Sequence, residues 1–172
     1  MEKENKKKGF TLIELLAVIV VLAIVSVLGA SIILPALADA RKNAFVSEAN
    51  NFLEAASNGV SLIQVGQITK ADYEGAGVTY NDTTKTYCFN LTSLIKLGLF
   101  DKKTGADGKV PDYYGAVQVV ASAGSTRWSY TTSFSNKNFY VLKKVGNVTA
   151  NDVNEYSKDG TYASVGGKED CS

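Results

Sequence analysis

From Leu15 to Ala38 the chain has no charged residue, and an acid, Glu14, stands immediately before that run. A helix needs about 20 apolar residues to cross the roughly 30 Å core of a bilayer, so the run is long enough to span one. An ionised carboxylate in such a helix costs at least ~2.5 kcal/mol on insertion scales, and acids that carry that cost usually have a functional partner. Any fold for this chain must therefore keep a long apolar helix out of water and give Glu14 a compensating neighbour.

A cut between Gly9 and Phe10 would create that neighbour, because the new α-amino group would lie four residues before Glu14, one helical turn away. Gly9 has no side chain and leaves the backbone open to a peptidase. Lys3, Lys6, Lys7 and Lys8 outnumber Glu2 and Glu4, which is expected to hold residues 1–9 on the cytoplasmic side and send the rest outward. The apolar run exceeds the 7 to 15 residues of a conventional signal-peptide core, and the residues after Ala40 continue in helical rhythm instead of starting a polar mature chain.

The sequence Lys8, Gly9, Phe10, Thr11, Leu12, Ile13, Glu14, followed by a long apolar helix, resembles the processing site of type IV pilins and the related pseudopilins, a class III signal peptide. The resemblance covers residues 6 to about 38 most fully. It implies that a membrane prepilin peptidase cuts after Gly9 and methylates Phe10, and that Glu14, at the family's glutamate position, serves assembly. It further implies a helical homopolymer as the main partner, with pilus assembly machinery in the membrane.

Beyond the apolar run, Phe45, Ala49, Phe52, Leu53, Ala56 and Val60 recur at steps of three and four, while Lys42, Glu48, Asn51 and Glu54 fall elsewhere. That is one apolar stripe on a helix. Residues 10–63 therefore read as one long helix, transmembrane or fibre core over 10–38 and amphipathic after it, roughly 80 Å long at 1.5 Å per residue. Gly29 and Pro35 are expected to kink or unwind it between Val25 and Pro35.

Residues 64–172 suffice for one small globular domain. Leu91 to Phe100 reads as a short helix stopped near Gly98, and Glu74 to Gly77 as a break. Ala116 to Ala121 reads as a buried strand, Trp128 to Phe134 as a half-buried strand with period-two alternation, and Phe139 to Leu142 as a third strand, joined to the second by a hairpin at Asn136 to Asn138. The fold class is α+β, a long N-terminal helix packed on a small antiparallel sheet, the layout that the resemblance also implies. The stretch from Asn147 to Gly167 is polar and is expected to be weakly ordered on its own.

Cys88 and Cys171 are the two cysteines, and an exported domain meets oxidising conditions in which a bridge persists. Such a bridge ties the penultimate residue to the domain, with a chain-entropy contribution of about 4 to 5 kcal/mol.

Catalytic chemistry is not expected. Histidine is absent, no serine lies in a nucleophile elbow, and the glycines form no phosphate loop. Asp101, Asp107 and Asp112, or Asn151, Asp152 and Asp159, carry oxygens of the kind calcium takes, yet neither set has calcium-loop spacing, so no cofactor or metal is expected. Three Asn-x-Thr sequons begin at Asn81, Asn90 and Asn147, a short pattern that arises by chance. Trp128 and Tyr113, Tyr114, Tyr130 and Tyr140 could stack sugars or single-stranded nucleic acid, but core packing accounts for most such residues. The formal net charge of +1 supplies no field toward nucleic acid. The expected function is a type IV pilus subunit; a pseudopilin of a type II secretion or DNA-uptake system, and a membrane-tethered adhesin that never polymerises, are the alternatives.

Overall fold

A computed structural model describes residues 10–101, 113–121, 128–156 and 171. The chain divides into two compact units, Met1–Arg41 and Lys42–Ser172. One helix, α1 (Leu12–Gln64), contributes to both.

In the first unit the apolar side chains of α1 are exposed on every side, from 44% at Leu37 to 84% at Leu12. Among the described residues no face of this part is covered, and the helix is long and apolar enough to cross a membrane. Of the kink or unwinding expected between Val25 and Pro35, the structure shows no unwinding: α1 is helical through Gly29 and Pro35. Proline removes a single backbone donor there, so the helix loses one bond to the carbonyl a turn earlier and not a whole turn. The two nearby serines are satisfied within the helix, Ser26 Oγ donating to the Leu22 carbonyl at 2.7 Å and Ser31 Oγ to the Leu28 carbonyl at 2.8 Å.

The second unit begins where the apolar stripe of α1 becomes one-sided. Phe45, Ala49, Phe52, Leu53, Ala56 and Val60 are all buried, as their spacing predicts. Gly59 is buried too, and a Cβ there would sit 3.0 Å from the Phe89 ring, so the glycine sets how closely α1 approaches the sheet. After Gln64 the chain turns at Gly66, in the left-handed region at φ 75°. A short helix α2 (Lys70–Ala76) follows, capped by Thr69 with Asp72 and closed by Gly77 at φ 97°. The expected break over Glu74 to Gly77 is therefore only Gly77; seven residues with just Tyr73 and Ala76 buried are too few to show a period.

Among the described residues the sheet has six strands, β1 (Thr79–Asn81), β2 (Thr86–Asn90), β3 (Tyr114–Ala121), β4 (Trp128–Ser135), β5 (Phe139–Val145) and β6 (Asn154–Glu155). They lie in sequence order and every neighbouring pair is antiparallel. Between β2 and β3 lies helix α3 (Leu91–Lys96), whose first turn is capped by Asn90 Oδ1 accepting from Ser93 N–H at 2.6 Å. The fold class is α+β, as the sequence indicates. Among the described residues its meander contains the three strands read from the sequence, one buried, one alternating and one short, and three more that the sequence did not disclose. At the hairpin between β4 and β5, Asn136 Oδ1 accepts from the backbone of both Asn138 and Phe139 at 2.8 Å.

One face of the sheet packs on the second half of α1. Phe134 lies 5.5 Å from Phe45 and 5.1 Å from Phe52 between ring centroids, and Phe139 lies 5.6 Å from Phe45. Each fully buried large side chain of this kind contributes about 1.5–3 kcal/mol. Gly115 makes the approach feasible, because any Cβ there would meet the Ser133 carbonyl oxygen at 2.7 Å. Asn50 ties α1 to the chain after β5 in the manner of a strand partner: its Nδ2 donates to the Val148 carbonyl at 2.9 Å, and Val148 N–H donates to its Oδ1 at 2.8 Å. One polar atom is left over, since Thr132 Oγ1 is buried with no partner among the described residues.

Candidate functional site

Phe10 precedes α1 and is 85% exposed. Gly9 and the lysines before it lie outside the described residues. The first turn is closed by a reciprocal cap within the chain. Thr11 N–H and Thr11 Oγ both donate to Glu14 Oε2, at 2.8 and 2.9 Å, and Glu14 N–H donates back to Thr11 Oγ at 3.3 Å. This is the capping-box arrangement, and a carboxylate there also sits at the favourable end of the helix dipole. Glu14 thus has a compensating neighbour before any amine is created at Phe10. The signal was legible as a Thr-x-x-Glu spacing ahead of an apolar run. All three bonds fall on Oε2 or the backbone, so Oε1 makes no hydrogen bond among the described residues.

Cys88 and Cys171 are bridged, with their Cα atoms 5.9 Å apart across 83 residues of sequence. Cys88 sits on β2 opposite Gln118 of β3, so the bridge anchors Cys171 on the face of the sheet turned away from α1. The turn from β1 to β2 is fixed by Asn81 Oδ1 accepting from Thr84 N–H at 3.1 Å and by the pair Lys85 and Asp82. The hydrogen bond from Lys85 holds the Asp82 carboxyl below its usual range, and the same contact raises the Lys85 ammonium.

The aromatic residues do not form one binding surface. Tyr113 stacks on Phe134 at 5.2 Å, Tyr130 hydroxyl lies 3.0 Å from Ser57 Oγ, and Trp128 lies 6.2 Å from Tyr87. Burial, aided by the charge of Glu48, pushes the Tyr113 hydroxyl up. Tyr114 and Tyr140 are register partners of Ser135, which places them on the face away from α1. Of the two oxygen sets considered for calcium, Asp107, Asp112 and Asp159 lie outside the described residues. Asp152 instead accepts from Lys144 Nζ at 2.8 Å and from Thr149 N–H at 2.8 Å, which holds its carboxyl down at about 2. Among the sequons, Asn90 is committed to capping α3, whereas Asn81 and Asn147 are exposed.

An apolar helix that begins at a capped acid, followed by a disulfide-tied α+β unit, fits a membrane-anchored precursor. Residues 5–30 match the family model described as the prokaryotic N-terminal methylation motif. The chain carries that motif, which supports a type IV pilin-like or pseudopilin precursor. No curated protein and no solved structure matches the chain.

Proposed function

We propose that the chain is a structural subunit of a type IV pilus, cut by prepilin peptidase between Gly9 and Phe10, methylated on Phe10 and polymerised through the apolar part of α1. The observation that carries this reading is the methylation motif over residues 5–30, which runs into the first-unit part of α1, whose apolar side chains have no cover among the described residues. Lipid satisfies that surface in the precursor, and the same segment of neighbouring subunits satisfies it in a fibre. Glu14 then serves assembly: Thr11 holds Oε2, and Oε1 accepts the Phe10 amine of the next subunit. Cys88 and Cys171 hold the tail of the exported domain, and no metal or cofactor takes part.

Mass spectrometry of the mature protein tests the processing. The expected N-terminus is methylated Phe10, and an intact Met1 or a start near Arg41 would refute it. A pseudopilin of a secretion or DNA-uptake machine carries the same motif. Sheared surface fibres labelled by antibody to residues 64–172 favour the pilus, and their absence at native expression favours the pseudopilin.

A further inference from the structure

The face of the sheet turned away from α1 carries a hollow with no part in the N-terminal chemistry. Strand alternation points Tyr87, Phe89, Val117 and Val119 into the core. Their neighbours face outward, so Thr79, Cys88 and Gln118 stand side by side across β1, β2 and β3, with Asn81 and Thr86 one step along. These residues line an open hollow of about 560 Å³, and Cys171, held by its bridge to Cys88, supplies part of the wall. That volume falls within the ~300–1,000 Å³ of small-molecule clefts.

Apart from Asp82 at the rim, the lining is neutral among the described residues and offers both donors and acceptors. Gln118 and Thr79 make no side-chain hydrogen bond among the described residues, so an amide and a hydroxyl are available. Asn81 spends Oδ1 on the Thr84 N–H and keeps its amide donors. The carboxylate at the rim, Asp82, is neutralised by Lys85. A phosphate would need an uncommitted cation, and a metal ion would need converging acids, of which the described residues form no group. Alternating hydroxyl and amide groups on an uncharged surface match the hydroxyls of a sugar.

We propose that this hollow binds a neutral mono- or disaccharide through Gln118, Asn81 and Thr79, and that the Cys88–Cys171 bridge is structurally part of the site. The site goes beyond the pilin reading and does not need the subunit to polymerise. It exists only in the oxidised protein, because reduction releases Cys171 from the wall.

The test uses the full chain in zwitterionic, sugar-free detergent micelles and saturation-transfer NMR with maltose, lactose, chitobiose and glucose 6-phosphate as probes. At least one neutral disaccharide should receive magnetisation at millimolar concentration. Gln118→Leu should weaken that binding about tenfold, the worth of one to two hydrogen bonds. Thr79→Val should weaken it less, with Trp128 emission unchanged in both variants. Absence of transfer to every neutral sugar, equal binding by Gln118→Leu, or transfer to glucose 6-phosphate alone would each overturn the proposal. Transfer that survives phosphine reduction would overturn the role of the bridge.

Discussion

Asn50→Ala should destabilise the second unit by about 2–3 kcal/mol. The substitution removes two hydrogen bonds to Val148, each worth ~0.5–1.5 kcal/mol net. Val148 is only 3% exposed, so water reaches its freed backbone groups poorly and part of their desolvation cost is added. Against a typical domain stability of ~5–15 kcal/mol, the loss is large enough to measure well. Urea unfolding of the full chain in micelles, followed by emission of Trp128, the single tryptophan, should show a lower midpoint at unchanged slope. Asn50→Asp sharpens the test. Its carboxylate keeps the bond from Val148 N–H but sets an acceptor against the Val148 carbonyl. The defect should shrink as pH falls below about 4 and the protonated acid regains a donor. A loss under 0.5 kcal/mol for Asn50→Ala, or a pH-independent defect in Asn50→Asp, would refute the bidentate account, the threshold being the scatter of ordinary surface substitutions at about 0.5 kcal/mol.

Gly115→Ala should cost about 1–3 kcal/mol, because its Cβ meets a backbone oxygen at 2.7 Å and the Phe134 ring at 2.9 Å; a thermal melt should fall by several degrees. Thr132→Val should raise stability by ~1 kcal/mol in the same melt, since it replaces a hydroxyl buried without a partner among the described residues by an isosteric methyl. Asp152 has its folded pKa depressed from 3.8 to about 2, so its pairing with Lys144 and Thr149 contributes at neutral pH and is lost as pH falls through that interval. Asp152→Asn should therefore flatten the acid limb of the stability–pH curve, and an unchanged limb would remove Asp152 as a contributor.

How much of this was legible depends on how many residues carry each signal. The stripe from Phe45 to Val60 repeats over several turns, and β4 sets Trp128, Tyr130 and Phe134 at even spacing among hydroxyl residues, so each could be read directly. Strand β1 has three residues and α2 seven, too few for either period to stand out. Strand β2 surrounds Cys88, and its Thr-Tyr-Cys-Phe-Asn order is strand-like only once pairing with β3 is known. The polar stretch after Asn147 reads as loose, yet Val148 and Val153 are buried at 3% and 5% and Thr149 with Asp152 closes a short turn between them. Val148 gains its meaning from Asn50, 98 residues earlier, and no local pattern carries that.

The cap at Glu14 changes the energetic problem that the sequence poses. A bare carboxylate would enter lipid with its full insertion cost, and a neighbouring amine would have to offset all of it. With two donors from Thr11 already on Oε2, part of the desolvation is met within one chain before assembly. On the proposed assembly, the Phe10 amine of the next subunit then supplies a second contact at Oε1 without displacing the first. The Thr11 cap holds the carboxylate in one orientation, so in the proposed assembly the amine would meet its partner at a fixed height. On the same proposal, Thr11 limits the cost of burying the acid between subunits, and an Oε1 with no partner among the described residues keeps the proposed pairing directional enough to set subunit register.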